Sequence, residues 1–144
     1  MPFTHHMIPV DVTLNGEYMG NYMFTEHKEV TENRINVGEG GWLIELDIYY
    51  DEDYKFYSNN YKLPVMIQYP KLDKMSEAEA QSVFDDMKND FNLLDELIYS
   101  ESFPNNDYLD YFDADAFANY LIVYMLTGNE EINHPKSTYI YKKK

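Results

Sequence analysis

The stretch VDVTLNGEYMGNYMFTE (residues 10–26) decides how the chain begins to fold. Val10, Val12 and Leu14 alternate with Asp11 and Thr13, the period-two pattern of a strand with one apolar face. Asn15-Gly16 follows, and both residues tolerate the positive φ of a tight hairpin turn. Residues 17–26 then read as the returning strand, with Tyr18, Tyr22 and Phe24 on one face. Gly20 shares that face and offers no side chain, which predicts a bulge or a close neighbour there.

Working outward, residues 31–41 contain Gly38, Gly40 and Gly41 and read as a loop. Trp42–Tyr49 reads as a strand with Glu45 and Asp47 together on one side, which is either solvated, the favoured reading, or lines a cleft. Asp51-Glu52-Asp53 is a charged turn that lacks the ligand spacing of a calcium-binding loop. Tyr54–Tyr57 pairs back, and Pro64–Tyr69 is a short strand ended by Pro70. Ser76 and Glu79 have the spacing of a capping box, which starts a helix over about 77–98. Ala80, Val83, Phe84, Met87, Phe91, Leu94 and Ile98 form its apolar stripe. Asp113 is the next N-cap, with Phe112 and Phe117 placed as a hydrophobic staple for a helix over 114–127. Tyr120–Leu126 is apolar all round, so full burial is expected, and Gly128 ends the helix. Thr138–Tyr141 returns as a strand. The fold class is therefore α+β: an antiparallel sheet, two main helices and a returning C-terminal strand, in one domain over 1–144.

With 144 residues, one core can bury roughly 70% of the extended-chain surface. Fifteen tyrosines and eight phenylalanines bring aromatics to 17%, too much apolar bulk for a disordered chain. The net charge of −15 repels phosphate backbones, which excludes unaided binding to nucleic acid or anionic lipid. There is no cysteine, hence no disulfide or thiolate metal site. No apolar run is long enough to span a membrane, and the first residues lack the regions of a signal peptide. Tyrosines 49, 50, 54, 57 and 61 form a cluster that reads either as a recognition surface or as sheet packing.

The densest chemistry lies at LTGNEEINHPKSTYIYK (residues 126–142), where the second helix gives way to the last strand. Gly128, Asn129, Glu130, Glu131, Asn133, His134 and Lys136 crowd into this crossing. Polar groups gathered where a buried helix meets a strand call for a partner, because burying them unpaired is costly. His134 before Pro135 reads as a structural loop residue. No glycine-rich phosphate loop and no motif of the ordinary protein kinases is present.

Three segments in order resemble a known family. Val12-Thr-Leu-Asn-Gly-Glu-Tyr-Met-Gly-Asn-Tyr-Met-Phe-Thr-Glu26 resembles the signature "LNGEYxGxYxxxE". Gly41-Trp-Leu-Ile-Glu-Leu-Asp47 resembles the "GGxLIELD" strand, and Leu126–Asn129 with His134–Lys142 resembles the helix–loop–strand junction. The chain is thereby similar to the CotH kinase family, the spore-coat-protein-H-like proteins. That resemblance implies a divergent protein-kinase-like fold, ATP with Mg or Mn as cofactors, and serine phosphorylation of a coat, secreted or surface protein. It implies an extracytoplasmic location. It also allows an alternative, a non-catalytic surface or coat interaction module on the same scaffold.

The resemblance assigns roles to four residues. Glu131 would be general base or metal-facing carboxylate, with Asn129 orienting or ligating, both opening into a cleft between the sheet and the second helix, unless Asn129 caps the carboxyl end of that helix and Glu131 is solvated. Lys136 would meet a phosphate or pair with Glu131, unless it is a plain surface lysine, which the residues alone favour. Glu26 would anchor a cation in the nucleotide site, unless it pairs with Lys28 or Arg34. The family pattern departs in two places. The junction usually reads "GNxD" where this chain has Glu131, which displaces the carboxylate by about one methylene. A "WDFDWA"-like segment expected to hold metal follows the last strand in the family, so these residues are expected to be the central portion of a larger domain.

Overall fold

The computed structural model describes residues 5–131 and 135–143, so His134 lies outside the described residues. Two compact units divide the chain, one within 1–36 and one within 37–144. Together they make an α+β protein with two antiparallel sheets and two helices.

In the first unit β1 (Met7–Leu14) and β2 (Glu17–Thr25) pair antiparallel. The turn holds Asn15 at φ 52° and Gly16 at φ 88°, as the Asn-Gly pair predicts. A bulge lies where expected: Val12 faces Gly20 and Thr13 faces Tyr18, leaving Met19 as the extra residue beside Gly20 at φ 109°. The extra residue changes the face of one tyrosine. Tyr18 donates to Asp11 Oδ1 at 3.0 Å, beside Asn21 Nδ2 at 3.4 Å, so it sits on the Asp11 side and not with Tyr22.

The second unit is a four-stranded antiparallel sheet in the order β4-β5-β3-β6, from β3 (Trp42–Leu46), β4 (Lys55–Tyr57), β5 (Pro64–Tyr69) and β6 (Thr138–Lys142). Trp42, Ile44 and Leu46 turn one face of β3 onto Phe56, Val65 and Ile67. Ala80, Met87 and Phe91 of α1 (Glu77–Tyr99) complete that core. On its opposite face Gln68 of β5 and Tyr139 of β6 close over Glu45, and the amides of Tyr49 and Ser137 close on Asp47. Glu45 and Asp47 are therefore buried, at 7% and 5% exposed, and not solvated as the alternation suggested.

The helix starts divide instructively. Asp113 Oδ1 accepts from Ala116 N–H at 2.8 Å, and the Phe112 and Phe117 rings meet at 5.3 Å. Ser76 occupies its N-cap position without a side-chain cap hydrogen bond, so the capping box does not form. Asp113→Ala should then cost about 1 kcal/mol in urea unfolding, and Ser76→Ala only a few tenths, about 0.3 kcal/mol. Equal losses would contradict this assignment.

Helix α2 (Ala114–Thr127) corrects a second expectation. None of its residues is buried, and Met125 and Leu126 are each 81% exposed. An apolar circumference states what a helix requires as neighbours. Among the described residues no element covers it.

Candidate functional site

The junction between α2 and β6 starts with a Schellman ending. Gly128 N–H donates to Met125 O at 3.3 Å and Asn129 N–H to Tyr124 O at 3.0 Å, with Gly128 at φ 64°. Asn129 Oδ1 then accepts from Glu131 N–H at 2.9 Å. The carbonyl oxygen that would ligate a cation is thus turned onto its own backbone, and it shapes the loop that carries Glu131. Both Asn129 and Glu131 are exposed. A concavity of about 270 Å³ lies elsewhere, lined by Glu52, Tyr54, Ile67, Pro70, Lys71 and Lys74, and includes neither residue.

Behind the loop stands Tyr120, its ring against Phe117 (6.3 Å) and Tyr124 (4.3 Å). Its hydroxyl is buried and makes no hydrogen bond of good geometry among the described residues, although the Tyr124 and Thr138 hydroxyls are near enough to influence it. Burial is the main cause that pushes its pKa up to about 12, with Tyr124 and the Glu131 charge adding to it.

The far side of the junction is clamped to the exit of β3. Ile48 N–H donates to Pro135 O at 3.0 Å, and Ser137 N–H donates to Asp47 Oδ2 at 2.9 Å. Asp47 Oδ1 accepts from Tyr49 N–H at 2.8 Å. The Lys136 ammonium lies 4.9 Å from the Tyr49 ring centre and donates to its hydroxyl at 3.3 Å, so it turns to Tyr49 and not to Glu131. Next along β6, Tyr139 donates to Glu45 Oε1 at 2.5 Å, while Gln68 Nε2 donates to Glu45 Oε2 at 2.9 Å and to Glu52 Oε1 at 3.1 Å. Two carboxylates of β3 and its exit therefore organise the strand and loop that carry Lys136. A charge pair inside a strand bounded by two other strands was the available signal.

Glu26 belongs to the first unit. It accepts from His6 N–H at 3.3 Å, faces His6 Nδ1 at 3.3 Å, and stands 4.0 Å from Arg34 Nη2. Of the two proposed partners, Arg34 is a neighbour. The His6 amide, then the His6 side chain, and more weakly Arg34, hold the Glu26 carboxyl below its ordinary 4.5. A depressed carboxyl stabilises the fold above the unfolded value and loses that contribution as pH falls through its folded value. An NMR titration of Glu26 should accordingly show a midpoint below 4.5, and a midpoint at or above it would contradict the contacts.

The quoted segments thus fall in two units, the hairpin in the first, β3 and the junction joined in the second. The family model described as CotH kinase protein matches residues 2–144. The chain belongs to the CotH kinase protein family. No curated protein and no solved structure matches it. Membership in CotH makes this a kinase-family protein and suggests ATP, a metal and a protein acceptor. The metal can be tested against the residues. Among the described residues of this CotH protein, no group of three or more His, Asp or Glu side chains could hold an ion. With Asn129 Oδ1 already committed, the described residues do not fit a metal centre of their own. Among them, too, no helix is long and apolar enough to cross a membrane.

Proposed function

We propose that this chain acts as a CotH-like protein kinase, passing the γ-phosphoryl group of ATP to a serine of a coat, secreted or surface protein. The observation that carries this reading is the family match over essentially the whole chain. Both units then belong to one domain, acting outside the cytoplasm with Mg or Mn. Phosphoryl transfer depends on positioning and on charge stabilisation, with little covalent work for the protein. The serine oxygen bonds to phosphorus as ADP leaves, and the serine proton passes to the Glu131 carboxylate. Asn129 holds the turn that presents Glu131, Lys136 meets a phosphate oxygen, and Glu26, in the first unit, anchors a cation. No step is routed through a metal, because the described residues supply no ligand set for one.

That same lack favours one alternative, a non-catalytic surface or coat interaction module on this scaffold. A thermal-shift experiment with ATP and manganese, paired with transfer of labelled phosphate to a serine-rich acceptor, separates the two. The kinase reading expects stabilisation by ATP, and turnover reduced about 10²-fold by Glu131→Ala. Absence of both shift and transfer in the wild-type protein leaves the interaction module.

A further inference from the structure

We propose that Asp47 is the positioning residue of the junction, its two carboxylate oxygens fixing the Lys136 ammonium on Tyr49 so that it meets an anionic phosphate oxygen. The proposal rests on the reading of Lys136 as the phosphate-binding cation. Asp47 is 5% exposed, and each of its oxygens holds a different backbone amide. Oδ1 takes Tyr49 N–H at 2.8 Å and so sets the ring on which the ammonium rests. Oδ2 takes Ser137 N–H at 2.9 Å and so sets the backbone immediately after Lys136.

The second contact acts against resistance. Ser137 has φ 46°, in the left-handed region that a side chain disfavours, and it persists only where its surroundings determine it. Among the described residues, the Asp47 contact, the Ile48–Pro135 backbone bond and the Thr138 hydroxyl on Lys136 O at 3.3 Å hold it. A lysine on a free loop surrenders rotamer freedom when it binds an anion. Here the Tyr49 ring and hydroxyl have already restricted the side chain. An ammonium carries three donors, and Tyr49 Oη takes one, which leaves two for phosphate oxygens.

The test has one readout that needs no ligand. In the wild-type protein the ε-methylene protons of Lys136 should be shifted upfield by the Tyr49 ring. Asp47→Asn should return them to the position of an unstructured lysine, while Asp113→Ala, which removes an N-cap elsewhere, should leave them shifted. Ser137→Gly added to Asp47→Asn should restore melting temperature, since glycine adopts φ 46° without strain, but not the shift. The second readout is ATP affinity by calorimetry. Asp47→Asn and Lys136→Met should each weaken binding about tenfold, and the double variant no further. A Lys136 shift that survives Asp47→Asn, or losses that multiply in the double variant, would overturn the proposal. If wild-type protein binds no ATP, the kinase reading fails, and the Lys136 resonance alone still decides the role of Asp47.

Discussion

Replacing Asp95 by alanine is expected to destabilise the second unit by about 3 kcal/mol, lowering its melting temperature by roughly 10 °C. Asp95 lies on α1 at 4% exposed, where an apolar residue would be the ordinary choice. Its carboxylate is the hub of the loop between β4 and β5. Ser58 Oγ donates to Oδ1 at 2.9 Å and Tyr61 N–H at 3.3 Å, while Asn60 N–H and Nδ2 donate to Oδ2 at 2.7 and 2.9 Å. Ser58 is itself fully buried and passes the order on by accepting from Leu63 N–H at 3.0 Å. One turn earlier on α1, Asn92 Oδ1 accepts from Asn59 N–H at 2.9 Å. The helix thus supplies the acceptors for a loop whose amides point inward. Truncation leaves buried donors unpaired, and that desolvation penalty outweighs the loss of any single hydrogen bond. Asp95→Asn keeps the shape but presents a donor to donors, so about two-thirds of the same loss is expected. Urea unfolding followed by Trp42 fluorescence measures both, because the single tryptophan lies in the core beneath α1. Losses under about 0.5 kcal/mol for Asp95→Ala would mean that water satisfies these amides and the loop closes without the helix.

Asp95 also shows where sequence patterning stops. The stripe from Ala80 to Ile98 located α1 within a residue of its observed end at Tyr99, because seven apolar residues at helical spacing leave one solution. Asn92 and Asp95 interrupt the buried face with polar groups, and only the folded loop opposite them explains why. The hairpin was legible for a local reason: Asn15-Gly16 prescribes its own turn, and Gly20 marks the bulge. Strand β3 was legible as a strand and misread as half-solvated. Alternation reports side-chain type, whereas exposure depends on the flanking strands, and β6 arrives from nearly a hundred residues away. The same reasoning covers α2, whose ends were fixed by Asp113 and Gly128 while its surroundings were not encoded in its own residues. At the junction, the residue types marked the loop. That Asn129 turns onto Glu131 N–H, and Lys136 onto Tyr49, is geometry that spacing does not contain.

Gly41→Ala should be at least as damaging as the loss of Asp95, about 3 kcal/mol or more, and for a steric reason. A Cβ built on Gly41 would lie 2.1 Å from Val37 O, 2.8 Å from Val37 C and 2.7 Å from Lys142 O. All three are backbone atoms, so no side chain can rotate away. Val37 is 2% exposed and cannot yield outward freely. Lys142 pairs with Trp42 at the end of β6, so displacing its carbonyl pulls the strand from β3. The neighbouring Gly40 is at φ 76°, a conformation that should cost alanine about 1–2 kcal/mol. The two variants separate by amide exchange as well as by stability. Gly41→Ala should accelerate exchange along β6, at Ile140 and Lys142, whereas Gly40→Ala should leave those amides protected. If Gly41→Ala proves as mild as Gly40→Ala, the loop from Val37 to Gly41 does not press on β6. Since β6 leads back into Ser137 and Lys136, a strand loosened at Lys142 should also broaden the Lys136 resonance without moving it to the unstructured position. That separates a weakened sheet from a lost carboxylate clamp.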